Sequence, residues 1–373
     1  GLTGSGNVTL GSVAADRLRL GGDNVDCTFS GVISGAGNVI KEGSGMWTLS
    51  GVNTYTGDTK VESGTLRLAA NDRLSDDTLV DVSSGATFDM NEFYDKIKGL
   101  TGSGSVTIGT GGGDRLRVGG DNADRTFSGV ISEAGNVVKE GSGIWTLSGA
   151  NTYIGDTKIE AGTIRLGAND RISDNSLINV SSGATFDMDS RYDKVKGLVG
   201  AGSVVLGAGT GDRLRVGGDN ASRSFSGAIS GGGNVIKEGT GSWTLSGTCT
   251  FNGDTSVSAG TLVVSGSSAN SAHTVSSGAY LYGSGTVGAI IISGQSSAGT
   301  ASNTVGNFAA SSVHLENNGR LQVNISAMTG SAGTDWDVLT VGGGSGTYTV
   351  NAVDGSDFVI ALKGNPAFDY TQS

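Results

Sequence analysis

Three tryptophans stand in one five-residue setting, Trp-Thr-Leu-Ser-Gly, at Trp47, Trp145 and Trp243, each 98 positions from the next. Asp16-Arg17-Leu18-Arg19 returns with the same offset as Asp114-Arg115-Leu116-Arg117 and Asp212-Arg213-Leu214-Arg215. Residues 1–98 recur in long identical stretches as 99–196, and again from Gly197. A period held over two units without an insertion marks a repeat array whose units stack in register. The units read as 1–98, 99–196 and 197–294. The third is degenerate at its end, where Val275-Ser276-Ser277-Gly278-Ala279 matches Val180-Ser181-Ser182-Gly183-Ala184 at a spacing of 95. Residues 295–373 read as irregular further coils, a cap or a docking region.

Within each unit a shorter beat of apolar segments falls at Trp47–Leu49, Leu66–Leu68, Thr87–Met90, Val106–Ile108, Phe127–Ile131 and Trp145–Leu147. Thr65-Leu66-Arg67-Leu68 alternates polar with apolar, the period of a half-buried strand, and glycine clusters interrupt too often for helices. The expected fold is all-β: a right-handed parallel β-solenoid of ~20-residue coils, about five to each 98-residue repeat. At ~4.8 Å per coil, one repeat should advance about 24 Å, and the chain should form about 19 coils in a rod about 90 Å long. Ala69–Asp77 alone has helical character, as a single turn or a projecting Asx-rich loop.

Glycine fills 67 of 373 positions against a single proline, which excludes collagen and fits many tight turns between strands. The net charge of −11 argues against nucleic acid or an anionic membrane as partner. No apolar run approaches the ~18 residues of a membrane span. The chain opens in repeat phase and reads as a piece of a longer protein. Cys27 and Cys249 replace consensus residues and lie about eleven coils apart, so they are expected to be free thiols.

Lys41-Glu42-Gly43-Ser44-Gly45-Met46-Trp47-Thr48-Leu49-Ser50-Gly51-Val52-Asn53-Thr54-Tyr55, closed by Val61-Glu62-Ser63-Gly64-Thr65-Leu66, resembles the autotransporter-associated β-strand repeat. The flanks Phe29–Gly35 and Val82–Phe88, and Gly333-Thr334-Asp335-Trp336-Asp337-Val338-Leu339 near the end, are similar to the same passenger regions. The resemblance implies a secreted scaffold at the bacterial surface. It implies no particular chemistry, because such scaffolds share a fold and not an activity.

Trp47, Trp145, Trp243, Tyr55, Tyr153 and Phe251 read as repeated core aromatics, each Trp sharing a face with its Leu. Tyr94 and Tyr192, flanked by charged residues, are the candidates for ligand or surface contact. The acidic clusters Asp23/Asp26, Asp72/Asp76/Asp77, Asp121/Asp124 and Asp170/Asp174 suit turns, with Ca²⁺ as the one cofactor that their chemistry allows. No catalytic, cofactor-binding or metal residue is assigned, and the chain is not expected to be an enzyme: His273 and His314 are the only histidines and neither recurs. The expected function is an extracellular structural rod, in a surface fibre, matrix filament or adhesin stalk, whose open strand edges associate end to end. A glycan-binding adhesin is the alternative reading. A polysaccharide-degrading β-helix, which would need unique paired carboxylates, is the second.

Overall fold

The computed structural model describes residues 1–13, 15–209, 211–299, 301, 306–315, 320–322 and 338–341. Their strands stack as a parallel β-solenoid of about 15 coils with no helix. Each coil visits three faces in fixed order. Face I is an 11-stranded sheet that begins with Arg17–Leu20, Asn38–Lys41 and Thr59–Val61. Face II begins as a six-stranded sheet at Cys27–Phe29 and resumes as a second sheet from Tyr192–Val195. Face III begins with the Val8–Thr9/Ile33–Ser34 pair and continues as a 12-stranded sheet from Asp95–Ile97 to Arg320–Gln322.

Alternation in each strand decides what fills the interior. In Met46–Leu49, Trp47 and Leu49 are fully buried while Met46 and Thr48 face outward; the pattern returns in Ile144–Leu147 and Ser242–Leu245. Phe29, Leu66, Leu68, Val80, Val82 and Phe88 stack in the same core. Tyr55 and Tyr153 are wholly buried and Phe251 nearly so, each within the core. The tyrosine hydroxyls bond to Thr59 and Thr157 inside it, which satisfies the one polar atom that each ring carries inward.

The repeat and the coil do not match. Arg17–Leu20 lies on face I, its copy Arg115–Val118 on face III, and the next copy Arg213–Val216 on face II. The tryptophans follow suit, Trp47 on face II, Trp145 on face I and Trp243 on face III. Fourteen face-to-face steps separate Arg17–Leu20 from Arg115–Val118, when the strandless crossings near 53–55 and 71–75 count as passes of face III. Fourteen steps on three faces make 4⅔ coils of about 21 residues, the finer value of the five coils expected. At ~4.8 Å per coil the rise per repeat is about 22 Å. Every repeat is therefore turned by one face, a third of a revolution, relative to its predecessor.

Phe127–Ile131, read as one strand, is two. Arg125–Phe127 on face I and Val130–Ser132 on face II meet at a corner around Gly129. A Cβ at Gly129 would stand 1.8 Å from the Gly104 carbonyl oxygen of the coil below, and one at Gly149 1.6 Å from that of Gly129. The corner is a column of glycines because consecutive coils touch there through backbone. Ala69–Asp77 forms no helix but a loop: bends with Asp72 at φ 55°, then a turn at Asp76–Asp77 that Thr78 N–H closes on the Ser75 carbonyl. The three-residue loss of the third unit leaves the solenoid intact, and coils continue through Thr286–Ile292 and Asn307–Leu315. Much of 295–373, including Asp357–Ile360, lies outside the described residues.

Candidate interaction surface

The segment 69–78 crosses face III without a strand, so its buried backbone groups need other partners. Two side chains supply them. From the coil below, Asn53 Oδ1 accepts from Ile33 N–H at 2.9 Å, while its Nδ2 donates to the Arg73 carbonyl at 2.7 Å. From the coil above, Asp95 Oδ2 accepts from Arg73 N–H (2.8 Å) and Leu74 N–H (3.0 Å). Asn151, Arg171, Ile172 and Asp193 repeat the arrangement with bonds of 2.7–3.0 Å. Asn53 and Asp95 are both buried. Burial pushes the Asp95 and Asp193 carboxyls up to about 7, against the pull of the two N–H donors.

The clamped segment presents a corner to solvent. Asn71 Oδ1 accepts from Tyr94 N–H at 3.0 Å, and Asp72 N–H donates to the Tyr94 carbonyl at 3.1 Å. The half-buried Tyr94 ring lies under the Arg115 guanidinium, 5.7 Å from its centroid, a cation–π contact across the repeat boundary. The Asp72 carboxylate beside the phenol holds its pKa above the ordinary tyrosine range. Asn169, Asp170, Tyr192 and Arg213 rebuild this corner one repeat later, with Arg213 5.5 Å from the Tyr192 centroid. Both proposed contact residues are thus on the surface, with one ring face covered by arginine. The turn between repeats carries the second corner to a different edge of the rod.

Beside these corners run charge ladders. Arg19 pairs with Glu42 and Glu62, and Arg117 with Glu140 and Glu160. Lys96 bridges Asp76 (3.4 Å) and Glu140 (3.5 Å), and Lys194 pairs with Asp174 (3.3 Å). The other acidic positions serve turns: Asp26 and Asp124 accept from Met46 N–H and Ile144 N–H, and Asp121 pairs with Arg125. Among the described residues no group of three or more acidic, His or Cys side chains is placed to hold a metal ion.

The sequence reading missed three inward polar positions. Lys41, Lys139 and Lys237 are each 1% exposed, and each ammonium donates to three backbone carbonyls at a face I, III or II corner. Desolvation lowers the Lys41 amine below the usual lysine value and pushes Lys139 and Lys237 down to about 8. Asp95 shares the parity of Ile97, and Lys41 that of Val39, so alternation alone marks both as inward. His273 is the third. Its Nε2 lies 3.0 Å from Ser268 Oγ and its Nδ1 2.9 Å from the Ser271 carbonyl. All of this is sealed in the core, and burial pushes the imidazole down to about 4. The cysteines are free thiols, Cys249 buried and Cys27 half-buried.

The passenger-associated-transport-repeat family matches residues 39–68, 137–166 and 235–264. Each match runs from the strand that bears the buried lysine, through the tryptophan strand and the crossing that holds Asn/Tyr in the first two repeats and Cys249/Phe251 in the third, to the end of the second strand beyond it. These three segments are copies of the passenger-associated transport repeat. It is 30% identical over 218 residues to the Adhesin BmaC autotransporter of Brucella suis biovar 1, covering 57% of this chain and 6% of that protein. It is 28% identical over 194 residues to the Probable autotransporter YfaL of Escherichia coli K12, covering 46% of this chain and 15% of that protein. The chain therefore spans only a small part of the curated relatives that it matches. No solved structure matches it.

Proposed function

We propose that this passenger solenoid is the stalk and contact surface of a bacterial surface adhesin. The observation that supports the reading is the third-of-a-turn offset between repeats. One chain displays the same Asp72/Tyr94/Arg115 chemistry on different edges, about 22 Å apart along the axis, without any change of fold. Contacts of this kind gain strength by multiplicity, since each added site acts at the effective concentration set by the rod. The adhesin named among its relatives is consistent with this role.

The test displays the chain within its full-length protein on the cell surface and counts cells attached to a host-cell or glycan-coated layer. The Tyr94→Ala/Tyr192→Ala double variant is expected to lower attachment several-fold with unchanged surface level and strand content. Attachment unchanged after deletion of residues 1–294 would overturn the reading. Self-association of purified rods into fibres in sedimentation, with no attachment, would put the filament function in its place.

A further inference from the structure

The third repeat handles the strandless crossing differently, and the contrast isolates a titratable part. There the loop is three residues shorter, Ser267–Ser268 forms a rung paired with Thr286–Val287, and Cys249 stands where Asn53 and Asn151 stand. The Asn–Asp clamp and the longer loop occur together in repeats 1 and 2 and are absent together from repeat 3. The clamp exists to hold the longer loop.

We propose that Asp95 and Asp193 are proton-operated clamps: neutral, they hold loops 69–78 and 167–176 against the rod, and ionised, they let these loops and the Tyr94 and Tyr192 corners come away. The geometry carries the argument. Asp95 is fully buried, its Oδ2 receives both backbone donors, and its Oδ1 is sealed from solvent with no partner; Asp193 shares this arrangement, with a further weak pull from the Lys194 backbone N–H. Charging the group leaves one anionic oxygen bare inside the core. The groups that face it give no relief. Asp72 and Asp76 on the loop are acidic, the Arg73 guanidinium is turned to the Asn71 and Ser50 carbonyls, Tyr94 just before its strand and Tyr55 from the coil below are neutral, and its rung partner in the coil above is Leu116. Lys96, next in sequence, points outward and is engaged by Asp76 and Glu140. Around Asp193, Asp170 is likewise acidic, Tyr153 neutral and the rung partner Leu214 apolar.

The sign follows from linkage. A carboxyl with its folded value raised from 3.8 to about 7 contributes nothing adverse below the unfolded value. It costs progressively more as pH rises between the two, because the open form has already released its proton. Closure is flat below about pH 4, weakens between about pH 4 and 7, and levels off above that.

Hydrogen–deuterium exchange of the whole chain from pH 5 to 9, corrected for intrinsic amide rates, tests this. Opening at 71–74 and 169–172 is expected to rise about tenfold per pH unit between about pH 4 and 7, then level off above pH 7. Residues 266–269 of repeat 3, which lack the clamp, should show no rise; the buried His273 on Ser268 can only lower their opening as pH climbs toward 6.5. Asp95→Asn should flatten the profile of 71–74 alone. A flat profile in the natural chain, or the same slope in 266–269, would overturn the proposal. So would a slope that survives Asp95→Asn. The ¹³C-carboxyl shift of Asp95 and Asp193 reads the proton without any substitution: a midpoint between 6 and 8 is expected, and one below 5 would overturn the clamp.

Discussion

Repeat 1 crosses face III and repeat 2 face II on a ten-residue loop held by side chains, whereas repeat 3 makes the equivalent crossing on a shorter one held by backbone. Both meet the same demand, that every buried N–H and C=O finds a partner. In the first solution Asn53 and Asp95 replace two rungs of a ladder, at the cost of a buried carboxyl. In the second, Ser267–Ser268 pairs directly with Thr286–Val287, and the Ser267 carbonyl accepts from Cys249 N–H. The Cys249 thiol then has a single task, accepting from Ile229 N–H, where Asn151 accepts from Ile131 and also donates to Arg171. The difference teaches that loops are added to this solenoid by swapping ladder bonds for side-chain bonds. The coil itself is unchanged.

The strongest way to break the comparison is to remove the clamp's lower half. Asn151→Leu leaves Ile131 N–H and the Arg171 carbonyl without their side-chain partners. Two such buried groups at ~1–3 kcal/mol each predict a loss of about 3 kcal/mol. Cys249→Ala removes only a sulfur acceptor from one N–H, and about 1 kcal/mol is expected. Because an array need not unfold in one step, the two should be compared by urea titration with exchange resolved by repeat. Equal losses would show that the asparagine holds nothing that the cysteine does not.

The parts legible in the sequence were those carried by period and alternation. Trp47 and Leu49 share a parity and are inward, and the 98-residue spacing does give stacked copies. The rotation between copies was hidden, because it depends on counting faces, and coil length varies with each crossing. Phe127–Ile131 looked continuous since a glycine corner interrupts apolar content without a polar residue to mark it. Asp95, one of the charged residues flanking Tyr94, reads as surface by its polarity, although its distance of two from Ile97 places it inward. Polarity outweighed parity in that reading, and parity governs the fold. The covered outer face of repeat 3 is a further departure. Val263 and Tyr282 stand where Arg67–Asp89 and Arg165–Asp187 form half-buried ion pairs, and only the sequence change, not its cause, is legible.

A smaller effect sharpens the comparison from the side of what all three repeats share. The buried lysine is in each repeat, while the aspartate is in two. Lys139 and Lys237 have folded values near 8, below the unfolded lysine value of 10.5. Below pH 8 both states carry the charge, and the folded state bears the full penalty. Between about 8 and 10.5 the folded state alone sheds it, so stability rises with pH and levels off once both are neutral. Discounted for screening, about 2 kcal/mol per site is expected. Urea midpoints from pH 8 to 10.5 should rise in repeats 2 and 3, and Lys237→Met should remove the rise from the third alone. A fall over this range would contradict the buried-ammonium reading.

The smallest expected effect restores one half of the clamp where the other half is gone. In Cys249→Asn, Oδ1 can accept from Ile229 N–H in place of sulfur, a better acceptor. Nδ2 can reach toward the Ser267 carbonyl, which already takes the residue 249 N–H but has a second lone pair, as the Arg73 carbonyl does for Asn53. The gain of one stronger bond is set against a bulkier polar group in a site that the shorter loop has closed, so the net change should stay within about 0.5 kcal/mol. No Asp95 equivalent is present, so the variant should show no new pH dependence between 5 and 9. Denaturation of the third repeat at pH 5 and pH 8 reads both quantities. A loss above about 2 kcal/mol would mean that the short crossing has no room for the asparagine, and that loop length and clamp are tied by volume rather than by hydrogen bonds.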